Sequence, residues 1–514
     1  MACKTWIVLA VLSLVSGLGA RAGEAAADTL SPGFDKGHRP LPLAANWNCN
    51  GNEGYGPEWQ IEQMKKGHHL LFTMRLGAQA KDVDWKAQLQ PIFEYLKEQQ
   101  APVCLRWNNW VNEIVKDASP FSPVEPWRKA GEELMRGFAE QLEAMQTWYP
   151  DPPYVVMVAN NEDKLPSLKA IVKSPEYLKA HGEDKDEAYQ QKAVGEAWCE
   201  RYKAMFDGMR AGSGPWGKKM RFIGYAWGGE ANINAYGWLD SPLAWDGVSA
   251  RNYVDRGLTD YQTYSVTVTA MNLRLKKAWY LSQKKDVHFE ISPWWRKKEG
   301  VPPERYGAMV IWNLWVARPH SVRQFTSWAT KRAEDETWYR EVLKAVDQVH
   351  ANETLRDFWA EGDPVVNREI EIPVHVIDAP PREGTWAQGR LAGIVDDAKI
   401  DELEALSHAY YGLKTSVDPA EFDEPKENRQ GRKQFAKTAE YRAWAQAQVL
   451  GNAPNRRWLV FAYAPRGDEK GVQITIPNFK AITLDVPQRG VFAVVDEAGG
   501  SVAEIAVPAA AHTP

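Results

Sequence analysis

Glu162 follows the apolar run Tyr154–Ala159 and the pair Asn160-Asn161, and Glu290 follows Val287-His288-Phe289 and precedes Ile291-Ser292-Pro293. A carboxylate is costly beside apolar strand residues unless it is paired or has a chemical task. Each could simply pair with a neighbouring Arg or Lys. Two at matching strand ends can instead divide acid–base and nucleophilic work. One protonates a leaving oxygen while the other attacks or stabilises an electron-poor carbon, which is the division that cleavage of a glycosidic bond needs. The two must then hold their protons differently, which burial and neighbouring charge arrange. Asn161, next to Glu162, can hold a sugar hydroxyl, a contact that strengthens in an oxocarbenium-like transition state.

Other chemistries lack their residues. The chain has no HExxH, GxSxG or CxxC motif, and no GxGxxG or GxxxxGK[ST] loop follows a strand pattern. Zinc-protease, α/β-hydrolase and nucleotide-binding readings therefore lose their main support. His68-His69 begins a strand pattern rather than ending one, the wrong end of a barrel for a catalytic metal. No metal and no cofactor is called for. Net charge is −5, from 62 basic and 67 acidic residues, so no basic excess points to nucleic acid.

The elements that must position the two acids are legible as alternation. Short apolar runs occur at Leu41–Trp47, His69–Leu76, Val103–Trp107, Tyr154–Ala159, Arg221–Ala226, Gly247–Tyr253, Val287–Ile291 and Val322–Phe325. Helical spacing separates them. Trp85, Leu89, Ile92, Phe93 and Leu96 describe one apolar helix face, and Trp198, Tyr202, Met205, Phe206 and Met209 describe another. Pro91 marks a helix start or a kink within the first pattern. Eight strand–helix units in this span predict an α/β fold, a closed (β/α)8 TIM barrel with its functional face at the C-terminal strand ends. Glu162 and Glu290 then close the fourth and seventh strands, on opposite walls of one mouth.

On those residues, Asn161-Glu162 after strand four and Glu290 in strand seven, the chain resembles the clan A glycoside hydrolases. These retaining TIM-barrel enzymes include cellulases, mannanases and agarases. The resemblance covers about residues 41–330. It implies Glu162 as general acid/base and Glu290 as nucleophile. It further implies Tyr253 as a contact of the nucleophile, Trp328 as a sugar-stacking surface, and Arg106 as a barrel arginine near the nucleophile, with Arg75 competing for that place. No signature within the clan names a substrate.

Trp is unusually frequent, 24 residues against 19 Tyr and 15 Phe. Indole faces suit cores and also suit stacking on the apolar faces of sugars. Trp107, Trp110, Trp227, Trp294, Trp295 and Trp328 fall at the expected mouth, with core packing as the alternative for each. Arg296-Lys297-Lys298, Lys164 and Arg251 could add subsites for a sulfated or carboxylated sugar.

The remaining segments frame this unit. Residues 1–27 read as a secretory signal peptide: Lys4, the apolar run Trp6–Val15, and small-residue cleavage patterns ending at Ala22 and Ala27. The mature chain is expected to be secreted or periplasmic and free of membrane spans. Of its four cysteines, Cys49, Cys104 and Cys199 outlast that cut, enough for one bridge at most. The barrel is expected over 28–362, closed by a helix at Glu336–His350, and a smaller antiparallel β-sandwich over 363–514. Ile370, Ile372, Val374 and Val376 alternate. Arg457–Tyr463, Val472–Ile476, Ala481–Val486, Val491–Val495 and Val502–Ala506 are short strands punctuated by Pro and Gly. Within this part Ile400–Tyr411 and Thr438–Leu450 are expected as helices and Asp418–Arg432 as an exposed loop. The expected activity is retaining hydrolysis of a β-linked polysaccharide. A catalytically dead glycan-binding barrel and a polysaccharide lyase are the alternatives, and sugar, linkage and oligomeric state are not legible.

Overall fold

The computed structural model describes residues 44–47, 57–58, 61–62, 71–74, 84–107, 111–116, 118–159, 166, 168–227, 244–253, 274–275, 277–278, 285–292, 316–319, 321–324, 344–345, 348–349, 351–372, 405–417, 420–427, 433–440, 442–464 and 467–506. Eight parallel strands close into a barrel in chain order: β1 (Ala44–Trp47), β2 (Leu71–Met74), β3 (Val103–Trp107), β4 (Val155–Ala159), β5 (Met220–Trp227), β6 (Gly247–Tyr253), β7 (Asp286–Ser292) and β8 (Ser321–Gln324). Each expected strand is present, with ends moved by at most three residues. The stagger is that of a TIM barrel. Trp47 pairs with Phe72, then Leu105, Met157 and Phe222. Followed through β6, β7 and β8, the same row re-enters β1 eight residues before Trp47.

Alternation gives each strand two faces. Val103, Leu105 and Trp107 of β3, Val155 and Met157 of β4, Phe222 of β5, and Val287 and Phe289 of β7 pack into one large core with the surrounding helices. Cys104, Val156 and Ile223 have the opposite parity and cluster together inside the barrel. Nearly continuous apolar runs follow from this double burial.

Helix α1 (Trp85–Glu98) starts at Asp84, whose side chain accepts from the Ala87 amide at 3.1 Å. It runs through Pro91 without ending, and Trp85, Leu89, Ile92, Phe93 and Leu96 are all buried. Pro91 removes one intrahelical donor, a cost that the buried face offsets. Further along come α2 (Val124–Gly137), α3 (Ala139–Trp148), α4 (Glu187–Gly212) and α5 (Glu353–Glu361). Asp186 caps α4 by accepting from the Tyr189 amide at 2.8 Å. The inner face of α4 carries the expected Trp198, Tyr202, Met205, Phe206 and Met209, with Phe206 stacked on Phe222 of β5 at 4.5 Å. α2 and α4 meet backbone to backbone, through Gly131 and Gly208. Of the expected helix at Glu336–His350, residues 344–345 and 348–349 are described and are helical. No described helix is long and apolar enough to cross a membrane, and residues 1–27 lie outside the described residues.

The C-terminal part contains β9 (Asp363–Pro364), β10 (Lys414–Thr415), β11 (Ala420–Glu427), β12 (Lys433–Glu440), β13 (Trp444–Leu450), β14 (Arg457–Tyr463), β15 (Glu469–Thr475), β16 (Ala481–Val486), β17 (Val491–Asp496) and β18 (Val502–Ile505). They form antiparallel sheets in the orders β18-β17-β14-β13-β9, β10-β15-β16 and β11-β12. The first two share a buried cluster that includes Ala445, Trp458, Val460, Ile474, Leu484 and Val495.

Three expectations are corrected here. Thr438–Leu450 is not a helix: it contains the end of β12 and all of β13. Ala and Gln favour helix locally, but β13 pairs along its whole length with β14 and is buried on both faces, and tertiary burial outweighs propensity. Of Asp418–Arg432, residues 420–427 are not a loop, since β11 pairs residue for residue with β12. Five of the eight residues of β11 are charged, a pattern without apolar periodicity. Ile370 sits in a bend after a turn at 368–369 rather than in a strand, and 374–376 lie outside the described residues. The helix expected at Ile400–Tyr411 is present over 405–411.

The outer face of the five-stranded sheet packs on the barrel. Trp444, Leu459, Phe461, Tyr463 and Phe492 join the same core as Phe358 and Trp359 of α5. Polar ties cross this junction. Arg274 Nη1 donates to Gln446 Oε1 at 2.5 Å and stacks over Trp444, while Gln448 Nε2 donates to the Val316 carbonyl at 2.7 Å. Arg318 donates to the carbonyls of Ala360 and Gly362. Lys277, buried and donating to the Ala317 carbonyl, has its ammonium pushed down to about 7 by desolvation and then by Arg318, with Asp363 opposing. An unfolded lysine stays protonated to about pH 10.4. Between those values the unfolded chain holds one more proton than the folded one, so this group makes stability rise with pH. Lys277→Met is expected to gain most over wild type at pH 7, with the gap closing toward pH 10 at up to about 1.4 kcal/mol per unit. Urea unfolding of both proteins at pH 7, 8.5 and 10 checks this, and a pH-independent gap would contradict it.

Candidate active site

The mouth of the barrel is set by where the strands stop. Ile223 is lumen-facing, and its pairing with Gly247 and Asp286 carries that parity through β6 and β7. Positions 227, 251, 253, 290 and 323 therefore lie on the lumen side of the sheet. Glu290 is two residues from the end of β7. It pairs with Arg251 on β6 and with Arg323 on β8, and Arg251 in turn pairs with Trp227, the last residue of β5. Trp227, Arg251, Glu290 and Arg323 thus form one continuous row across four strands. Neighbouring strands are about 4.8 Å apart, so residues of such a row are within side-chain reach of one another.

Tyr253 ends β6 one pleat beyond Arg251 and pairs with Ser292. Arg106 occupies the lumen parity of β3, paired with Thr73 and Val158. His288 sits two residues below Glu290 and is buried. In register, the row places a glutamate position between two arginine positions, with a tyrosine position one pleat beyond.

Of the expected site residues, Arg106, Trp227, Tyr253 and Glu290 share this face. Glu162, three residues past the end of β4, lies outside the described residues, as do Asn161, Trp294, Trp295, Trp328, Trp110 and Arg75. Trp107 belongs to the other face. It is 1% exposed, stacked parallel to Trp245 at 6.1 Å and edge-on to Phe222 at 6.1 Å. Its indole fills the layer between strands and helices, so packing is its role in this structure rather than a surface for substrate. The signal was present in the sequence, since Val103, Leu105 and Trp107 alternate with Cys104 and Arg106.

Arg323 was missed as a site residue. A charge in the middle of Val322–Phe325, a run otherwise read as buried strand, was the available clue. Cys104 and Cys199 are in no disulfide, and Cys49 and His68-His69 lie outside the described residues. Among the described residues no group of three or more His, Cys, Asp or Glu side chains could hold a metal ion.

No protein-family model matches the chain, and no curated protein matches it. Solved structures similar to it include a Cellulomonas fimi endo-β-1,4-mannanase double mutant, at 9% identity and TM-score 0.31 over 80% of this chain and 85% of that one. A ruminal GH26 endo-β-1,4-mannanase is similar at 11% identity and TM-score 0.32, over 58% and 62%. A β-mannanase from a symbiotic protist of the termite Reticulitermes speratus, complexed with gluco-manno-oligosaccharide, is similar at 13% identity and TM-score 0.30, over 62% and 95%.

Proposed function

We propose that this chain is a retaining glycoside hydrolase acting on a β-linked polysaccharide, with Glu290 as nucleophile and Glu162 as general acid/base. The observation that carries the reading is the place of Glu290: lumen parity of a closed barrel, two residues from the C-terminal end of β7, in register with Arg251 and Arg323. In this reading Glu290 attacks the anomeric carbon while Glu162 protonates the departing oxygen. Glu162 then takes a proton from water, which releases the sugar with its configuration retained. Trp227 and Tyr253 border the bound sugar, and Asn161, Trp294, Trp295 and Trp328 extend its subsites. The C-terminal sheets act as a sandwich-type accessory module that braces the barrel. Residues 1–27 direct the chain out of the cytoplasm.

The test is incubation with neutral, sulfated and uronic β-linked polysaccharides, with products read by mass spectrometry and the first-formed anomer by NMR. Retained β-configuration is expected on at least one substrate. Inverted product would replace double displacement by direct attack of water. Unsaturated, ultraviolet-absorbing products would make the protein a lyase instead. Binding without cleavage of any substrate would make it a glycan-binding barrel.

A further inference from the structure

Among the described residues, Tyr189 is one of two large apolar side chains left exposed, at 43%. Its ring is nevertheless held. His181 Nδ1 and the Tyr189 hydroxyl share a 3.0 Å hydrogen bond, and the two rings meet edge to face at 5.8 Å. His181 in turn packs on Tyr177 at 4.9 Å and on Phe121 at 5.4 Å. We infer that Tyr189, held by His181, is a stacking subsite for a neutral polysaccharide at the rim of the barrel mouth. This deepens the glycosidase reading and rests on it only for calling that polysaccharide the substrate; the binding itself needs no catalysis.

Topology sets the place of this patch. Tyr189 lies in the first turn of α4, and His181 ends the short helix Pro175–His181, both in the connection from β4 to β5 that also carries position 162. Phe121 lies in the connection from β3 to α2. Such connections leave the C-terminal ends of the strands, the face on which barrel enzymes bind their substrates. α4 reaches further out on that face than α2. The two helices run parallel, since Gly208 meets Arg128 and Gly212 meets Met135. Arg201 of α4 donates to the Ser122 carbonyl, just before α2 begins. Tyr189 is twelve residues nearer the start of α4, which is about 18 Å of helix beyond that level. A phenol ring fixed in this way offers a flat apolar face and a polar tip, with little conformational freedom left to lose on binding. A sugar ring presents the matching pair, an apolar C–H face and hydroxyls at its edge. Charge then selects among sugars. Between His181 and Tyr189 lie Glu183, Asp184, Asp186 and Glu187, all exposed, against Lys185 alone. A bound chain carrying sulfate or carboxylate would face that acidic stretch, whose repulsion extends over about 10 Å, whereas hydroxyls would not feel it. Lys185 Nζ sits over the Tyr189 ring at 5.1 Å, an exposed side chain that a stacking sugar displaces.

The experiment is affinity electrophoresis of the full chain in native gels containing soluble glucomannan, mixed-linkage β-glucan, carrageenan or polymannuronate. Glu290→Gln serves as the parent, so that the polymers stay whole. Retardation by at least one of the two neutral polymers is expected. Tyr189→Ala should weaken that binding by about 3- to 10-fold. Tyr189→Phe, which keeps the ring and loses the bond to His181, should weaken it less. The start of α4 survives both changes, because Asp186 caps the Tyr189 amide rather than its side chain, and calorimetry should show unchanged unfolding. Lys185→Ala should bind the neutral polymers at least as tightly as its parent. Tyr189→Ala retarded like the parent overturns the inference, and so does a parent that neither neutral polymer retards. Retardation by carrageenan or polymannuronate alone, lost in Lys185→Ala, overturns it in favour of an anion site. A dimer seen by light scattering that Tyr189→Ala dissolves, with polymer binding unchanged, overturns it in favour of a contact between copies. Failure of this inference and of the glycosidase reading are distinguishable. A neutral polymer bound through Tyr189 but never cleaved by wild type keeps the subsite and removes the glycosidase. Cleavage by wild type, with binding indifferent to Tyr189, does the opposite.

Discussion

Glutamine in place of Glu290 is expected to lower turnover of the cleaved polysaccharide by about 10³-fold or more, with the thermal unfolding profile unchanged. The amide matches the carboxylate in size but cannot form the glycosyl–enzyme bond, so double displacement loses its first step. Position 290 is held by pairing on both sides, to β6 and to β8, and these backbone bonds do not depend on its side chain. The activity loss is therefore separable from folding. In Glu290→Ala, where truncation vacates the space of the carboxylate, added azide should restore part of the turnover, and the glycosyl azide formed should have the configuration opposite to the substrate's. Near-normal activity of the variant would remove Glu290 from the reaction. Rescue with retained configuration would exchange its role with that of Glu162.

The second large effect concerns the scaffold. A methyl group added at Gly208 of α4 would lie 1.8 Å from the Arg128 carbonyl oxygen of α2, and one at Gly131 of α2 would lie 2.1 Å from the Met205 carbonyl oxygen. Both obstacles are backbone, so a rotamer change cannot relieve them and the helices must separate. Overpacking of this kind costs on the order of 3 kcal/mol. The pair lies beneath a dense aromatic layer: Trp127 meets Trp198 edge-on at 5.8 Å, and Tyr202 meets Trp245 at 5.7 Å. Moving α4 outward would also open the contact of Phe206 with Phe222 of β5. Gly208→Ala is expected to lower the unfolding temperature by roughly 4 °C in a domain of this size. Gly467→Ala, where an added methyl meets nothing within 4 Å, should leave it unchanged. Differential scanning calorimetry of the two variants decides the point, and equal unfolding temperatures would show that α2 and α4 tolerate separation.

The barrel and its helix faces were legible because both report burial through a short, local period. Val103–Trp107 and Gly247–Tyr253 were read at their observed limits. The buried stripe of α1 was read residue for residue, and the five large residues read for α4 are all buried, because positions three and four apart share a face whatever they pack against. Glu290 stood out for the same reason, as a charge within a run that solvent does not reach. β13 was not legible: Ala, Gln and Leu satisfy a helix locally, and only pairing with β14 and β9 makes it a strand. The β11–β12 ribbon was not legible either, since its charged residues carry no period. Trp107 passed for a mouth residue because it ends β3, although its alternation with Cys104 and Arg106 sets it on the face of Val103 and Leu105, which packs against the helices.

Local chain chemistry, then, determined how many strands there are, where they lie and which acids interrupt them. Which residues become neighbours was left to the closed sheet. Arg251 is 39 residues before Glu290 and Arg323 is 33 after it, and no rule of sequence spacing joins them. They meet because each parallel strand must take one register on the next for the barrel to close with a stagger of eight. The pairing partners of position 290 are thus a property of barrel closure, a constraint that acts on all eight strands together.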